Sequence, residues 1–343
     1  MVSNILIFFV ASPLQVIASS RIAKDIIHKK KLSKPNCILI CYKPKLQEIV
    51  SDPIWDNTLY MPWPRYEPLP GFFGVSKRLL SNIKLVEKTI KKETNIYCFS
   101  ATYDNEAVNY FINFFKKNSM NCNFSLIPDG ALNLIRYPQS IMSRLFKIFR
   151  IFRMLYSTKL RYTFYSGDRL GADADFVKSI YVIPGLKTEY HEKKVMQLKP
   201  FFSTKITKTK QSKRALIIGQ PLTGYKLIDR QRLMHISNEI REWSFAHDIE
   251  EVFYKTHPKD KEENLLEEGY KLLPEEVLVE KFLSNNYFDY VIGVHSSVLI
   301  FAKQLYGNQT EVISFGLDKL SFKNQKLKLK LYNLYHELGI IIR

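Results

Sequence analysis

The chain has 343 residues, more than one ordinary domain needs and a good match to two of about 150 residues each. Hydrophobic residues make up 46% and charged residues 24%, which excludes a disordered chain and points to a packed globular protein. Lys and Arg outnumber Asp and Glu by 51 to 33, and this charge of +18 must face an acidic partner: nucleic acid, an anionic membrane or a phosphorylated substrate.

The opening MVSNILIFFVASPLQVIASS lacks the positive start of a signal peptide, and Pro13 and Gln15 interrupt its apolar run. A first strand over 4–11 is expected instead. No uninterrupted apolar run reaches about 18 residues, so no transmembrane helix is expected. The helix PLQVIASSRIAKDIIHKK follows, with Pro13 suited to its first turn, and then the strand NCILICY. Residues 51–75 form a connection rich in Pro and aromatics, without a period. Then come helix VSKRLLSNIKLVEKTIKK, strand NIYCFSA, helix DNEAVNYFINFFKK and the strand and loop NFSLIPDG. Such alternation predicts a parallel sheet with helices on both faces. Residues 196–214 are cationic and without a core period, which makes them the expected linker.

A second alternation starts at RALIIGQP. Helix RQRLMHISNEIREWSFA, strand IEEVFYKTHP, a short acidic helix, KLLP, helix VLVEKFLSNN, strand FDYVIGVHSS, helix VLIFAKQL and strand TEVISFG complete it. The expected fold is α/β and GT-B-like, with two doubly wound Rossmann-type domains facing a central cleft. The expected boundaries are 1–195 for the first domain, 196–214 for the linker, 215–320 for the second domain and 321–343 for a C-terminal helical segment. The four cysteines, Cys37, Cys41, Cys98 and Cys122, have no C-x-x-C or zinc spacing and read as reduced core thiols of a cytoplasmic protein.

Several strand ends carry groups suited to chemistry. His257-Pro258 closes one strand; an imidazole there can donate to a phosphate or protonate a leaving group, or the pair can be a simple turn. Lys255 beside it adds charge or is solvated. Ser296-Ser297 precede an apolar helix, where hydroxyls and free N–H groups favour an anion or only cap the helix. His295 reads as a packing residue. Glu280 lies between these loops and could accept both hydroxyls of a ribose, with Glu275 and Glu276 as competitors. Gly219-Gln220 closes the first strand of the second half: glycine for close backbone approach, glutamine for a base or sugar, or both for a tight turn. No G-x-G-x-x-G or Walker pattern supports a dinucleotide or ATP site. In the first half, Asp129-Gly130 ends the NFSLI strand; its carboxylate could take a proton from an acceptor hydroxyl, or the pair could be a turn.

Taken together, an acidic residue before Gly, a His-Pro and a Ser-Ser in this order resemble the bacterial sialyltransferases of glycosyltransferase family 52 and the related bacterial polysialyltransferases. ASPLQV, IIGQP and VISFG resemble their other strand ends, so the likeness spans residues 4 to about 318. The resemblance implies an inverting sialyltransferase that uses CMP-Neu5Ac, needs no cofactor or metal, and sialylates a terminal sugar, galactose for example, of a bacterial surface glycan. It implies Asp129 as general base and His257 as general acid or phosphate donor. Ser296 and Ser297 would hold the CMP phosphate and Glu280 the ribose, with Gly219, Gln220 and Pro258 beside the nucleotide. The family's motif has two acidic residues, and the first is Pro128 here.

Residues 141–162 read as one amphipathic cationic helix, with Ile141, Leu145, Ile148, Phe149, Phe152 and Leu155 on one side and Lys147, Arg150 and Arg153 on the other. It is expected to rest on an anionic inner membrane or to pack its apolar side on its own domain. Rival classes are a GT-B transferase with another nucleotide-sugar donor and a non-catalytic basic binding protein. Nucleic acid is not expected as a partner, because no RRM, KH or helix-turn-helix signature accompanies the charge.

Overall fold

The apolar runs of both halves become parallel strands flanked by amphipathic helices. The computed structural model describes residues 3–30, 32, 34–90, 94–103, 106–117, 121–133, 135–199, 201, 212–257, 260, 265–275 and 277–343. Two units result: Met1–Ile183 with Thr188–Lys199, and Pro184–Lys187 with Pro200–Arg343.

The first unit runs β1 (Ser3–Val10), α1 (Pro13–Lys30), β2 (Asn36–Cys41), α2 (Lys45–Glu48), β3 (Asn57–Tyr60), α3 (Gly74–Glu87), β4 (Thr94–Ser100), α4 (Glu106–Lys117) and β5 (Asn121–Leu126). It continues through α5 (Ile141–Ile151), α6 (Arg153–Tyr156), β6 (Val177–Val182) and β7 (Val195–Gln197). Its sheet has the order β3-β2-β1-β4-β5-β6-β7, all parallel. Central β1 pairs Ile7 with Ile38 on one side and Cys98 on the other, and residues 5–10 are buried because helices cover both faces. Phe8 stacks on Phe99 with centroids 4.2 Å apart.

The second unit runs β8 (Arg214–Ile218), α7 (Arg230–Ala246), β9 (Glu251–Lys255), β10 (Lys271–Leu273), α8 (Val279–Leu283), β11 (Tyr290–Gly293), α9 (Ser297–Tyr306), β12 (Glu311–Ser314), α10 (Gln325–Leu338) and β13 (Ile341–Ile342). Its parallel sheet has the order β10-β9-β8-β11-β12-β13. In both sheets the first strand in sequence lies third from one edge, and the order reverses beside it: at β1/β4 in one and at β8/β11 in the other. Crevices at such reversals are where open α/β sheets take ligands, so the loops after β1, β4, β8 and β11 border them, and the loop after β5 lies one strand further along the same edge.

Several boundaries differ from the expected ones. The linker expected at 196–214 starts later, because Met196 and Gln197 pair with β6 and the Leu198 N–H donates to Val182 O (3.0 Å). Its residues 202–211 lie outside the described residues, and Arg214 already belongs to β8. Residues 184–187 belong to the second unit: Gln304 Nε2 donates to Pro184 O, and Lys187 pairs with Glu337 at 2.9 Å. The segment 321–343 is integral to that unit, since β13 extends its sheet and Arg343 exchanges backbone bonds with Ser314 and Gly316.

The helix expected over 141–162 stops at Tyr156, where Ser157 turns to extended backbone. Its basic side, not its apolar side, faces the unit. Lys147 is buried with its Nζ 4.1 Å from the Tyr165 ring centroid; Arg150 and Arg153 lie over Tyr162 and Tyr110. Buried Asp168 organises the long stretch between β5 and β6. Its carboxylate accepts from the Tyr137 N–H (2.7 Å) and the Leu170 N–H (3.0 Å). Among the described residues no helix is long and apolar enough to cross a membrane.

Candidate functional site

In the first unit the site centres on the loops after β1 and β5. Ile127 still donates its N–H to Ser100 O (3.1 Å). The chain then leaves the sheet through Pro128 and presents Asp129, whose own N–H donates to Asn133 Oδ1 at 2.5 Å. The Asp129 Oδ1 accepts from Gln15 Nε2 at 2.7 Å. Gln15 stands in the first turn of α1, buried, with its Oε1 accepting the Ala11 N–H (2.7 Å). Because that N–H fixes which end of the amide is oxygen, Gln15 can only donate to Asp129. Burial raises the proton affinity of Asp129 and the Gln15 bond opposes it. A carboxylate so placed is a proton acceptor with elevated basicity. Gln15 is a further candidate residue, marked in the sequence only as a glutamine that interrupts an otherwise apolar stretch.

In the second unit the loops after β8 and β11 meet through Gln220. Its Oε1 accepts from the Val294 N–H (3.2 Å) and the His295 N–H (2.9 Å), and its Nε2 lies 2.8 Å from His295 Nδ1. The two backbone donors fix the amide, so Nε2 donates and His295 Nδ1 accepts. His295 therefore carries its proton on Nε2. Burial lowers its pKa to about 4, which keeps the imidazole neutral. The sequence places Gln220 beside the nucleotide and His295 in the packing; in the structure the Gln220 amide holds the His295 imidazole. Gly219 is required sterically. A Cβ there would collide with the buried Tyr254 ring, 2.8 Å from its Cζ, while the Gly219 N–H donates to Lys255 O (2.9 Å).

Ser296 caps α9: its hydroxyl oxygen accepts from the Val298 N–H (3.2 Å), and its carbonyl accepts from Tyr335 Oη (3.2 Å). Ser297 is the first residue of that helix and half-buried. The cap leaves the helix dipole and the hydroxyl proton of Ser296 as anion-directed features. His257 follows β9 and accepts the Asp260 N–H on its carbonyl (2.8 Å); Pro258 and Glu276 lie outside the described residues. Lys255 is buried rather than solvated. Its Nζ donates to Pro274 O (2.8 Å) and Glu275 O (3.0 Å), tying β9 to the turn before α8. Glu280 is buried on α8. Desolvation raises its proton affinity, and its own backbone N–H and the positive charge of Lys255 oppose the rise. The structure thus brings Gln220 and His295 into one network, puts Ser296 at the head of α9, and couples Glu280 to Lys255. Asp129 and Gln15 form a separate pair in the first unit.

Among the described residues no group of three or more His, Cys, Asp or Glu could hold a metal ion.

Comparisons with known proteins agree on fold and family. A solved α/β-galactoside α-2,3-sialyltransferase from the luminous marine bacterium Photobacterium phosphoreum superposes with a TM-score of 0.56 at 11% identity, covering 99% of this chain and 98% of that one. The UDP-GlcNAc 2-epimerase from Neisseria meningitidis bound to UDP-GlcNAc gives a TM-score of 0.52 at 11% identity, covering 98% and 94%. At such identities these likenesses establish the GT-B-like fold. Comparison with curated proteins returns no match. The family model described as alpha-2,8-polysialyltransferase (POLYST) matches residues 7–314, from β1 to the end of β12, and so takes in the Asp129, His257 and Ser296 loops. With two Rossmann-type sheets and that match over nearly its whole length, the chain belongs to the alpha-2,8-polysialyltransferase family and is a glycosyltransferase of the sialyltransferase kind.

Proposed function

We propose that the protein is an inverting, metal-independent transferase that moves sialic acid from CMP-Neu5Ac to a terminal sugar of a bacterial surface glycan such as lipooligosaccharide, O-antigen or capsule. The observation that carries this reading is Asp129: a carboxylate of raised basicity, held by Gln15 at the carboxyl edge of a doubly wound sheet, in a chain of this family. Its role is to take the acceptor hydroxyl proton as the acceptor oxygen bonds to the anomeric carbon of the sialic acid. The bond from that carbon to the phosphate oxygen breaks, and its electron pair leaves with CMP. The departing charge is met by a proton or hydrogen bond from His257 and by the hydroxyls and N–H groups at the head of α9, Ser296 and Ser297. Glu280 serves the ribose, with Gly219, Gln220 and Pro258 around the nucleotide. No cofactor or metal is assigned.

The acceptor galactose of the sequence reading has a competitor in the family's description, α2,8-polysialyl transfer, which makes a terminal sialic acid the second acceptor to screen. The test is a thermal-shift and donor screen. CMP should raise the melting temperature while UDP and GDP do not, and CMP release from CMP-Neu5Ac should require acceptor. Protection by UDP alone would transfer the reading to another nucleotide-sugar donor; NMR of the product fixes the linkage.

A further inference from the structure

Helices α5 and α6 turn their apolar side to water. Ile141, Met142, Phe146, Phe149, Phe152 and Leu155 are each 56% to 83% exposed. The same segment is fastened to its unit by a seam of cations on tyrosines: Lys147 on Tyr165, Arg150 on Tyr162, Arg153 on Tyr110. An ordinary surface helix does the reverse and buries its apolar stripe. The loop before α3 extends the ridge. Phe72 is 91% and Phe73 66% exposed, and the Phe73 ring stacks on Tyr156 at 5.2 Å. Exposed apolar surface gathered from two elements marks a contact site.

Charge identifies the partner. Residues 130–167 contain seven Lys and Arg and no Asp or Glu. Beside the ridge is a pocket of about 640 Å³ whose wall carries Arg65, Lys147, Arg150 and Arg153 together with Phe146 and Phe149. We propose that this ridge docks the enzyme on an anionic lipid bilayer, with the phenyl rings in the acyl boundary and the exposed guanidinium groups of Arg65 and Arg144 against lipid phosphates. A second copy of the chain would bring the same surplus of cations face to face across the contact. An acidic polymer would satisfy the cations and leave the phenyl rings wet.

The test is flotation of the full chain with vesicles, one set of phosphatidylcholine alone and one with about 30% phosphatidylglycerol. The expected result is at least about tenfold more protein on the anionic vesicles, reduced by high salt. Phe146→Glu with Phe149→Glu should lower that binding about tenfold; Phe245→Glu, at an exposed position on α7 of the other unit, should leave it unchanged. Where the double glutamate variant melts early, Leu145→Gln with Leu155→Gln supplies the same reading at exposed positions. Equal partition to neutral and anionic vesicles, wild-type binding by both double variants, or binding to heparin without binding to vesicles would overturn the proposal. So would a dimer by light scattering that the Phe146 and Phe149 changes dissolve. The readout needs no turnover and stands apart from the donor assay.

Discussion

At the residue scale, burial sets the Asp129 carboxyl against its charged form. Burial raises its pKa in the fold, so the folded protein holds this proton more tightly than the unfolded chain does. Its contribution to stability is therefore greatest below the ordinary carboxylate range and is given up as pH rises through the folded pKa. Asp129→Asn keeps an oxygen for the Gln15 donor and cannot ionise. We expect turnover to fall about 10²- to 10⁴-fold, the share of a positioned base, while the melting temperature at pH 8 rises and CMP binding survives. Unchanged turnover would remove Asp129 as the base. Gln15→Met deletes a bond that favours the charged form. The acidic limb of the kcat/KM profile should then move to higher pH; a limb that stays in place would show that Gln15 only packs.

At the element scale, the unusual segment is the passage from β5 to β6, and Asp168 anchors it. Asp168→Ala strips two backbone N–H groups of their acceptor in a buried site, and each such loss costs about 1–3 kcal/mol. Urea unfolding should show a loss of roughly 2–6 kcal/mol if those costs add in full; a loss under about 0.5 kcal/mol would mean the passage is held by other contacts. The alternating βα pattern was legible because buried parallel strands are continuous apolar runs: ILIFFV, NCILIC and RALII fall on β1, β2 and β8. Edge strands were not legible. β3 hides in a Pro- and aromatic-rich connection, β7 has three residues with two exposed, and β13 has two residues. The orientation of α5 could not be read from its period. The period shows that the helix has two faces, and the tyrosines that select the basic one, at 110, 162 and 165, lie outside the helix that forms. In the site, the strand-end motifs were visible one by one. The bonds from Gln15 to Asp129 and from Gln220 to His295 span 114 and 75 residues, and only the strand order brings them together.

At the scale of the whole molecule, the chain enters its second unit, goes back, and enters it again. Pro184–Lys187 serve the second unit before Thr188–Lys199 return to finish the first sheet. Any recombinant piece meant to represent the second unit must honour that detour. A fragment cut at residue 200 discards the carbonyl that receives Gln304 and the ammonium that meets Glu337. One begun at residue 184 keeps both, at the cost of carrying β7 without its neighbour. Chemical denaturation of the two fragments should give the longer one the higher midpoint; equal midpoints would make the four-residue excursion dispensable. Gene boundaries drawn from the sequence alone, at the cationic stretch, would sever this tie without any sign of it in the composition.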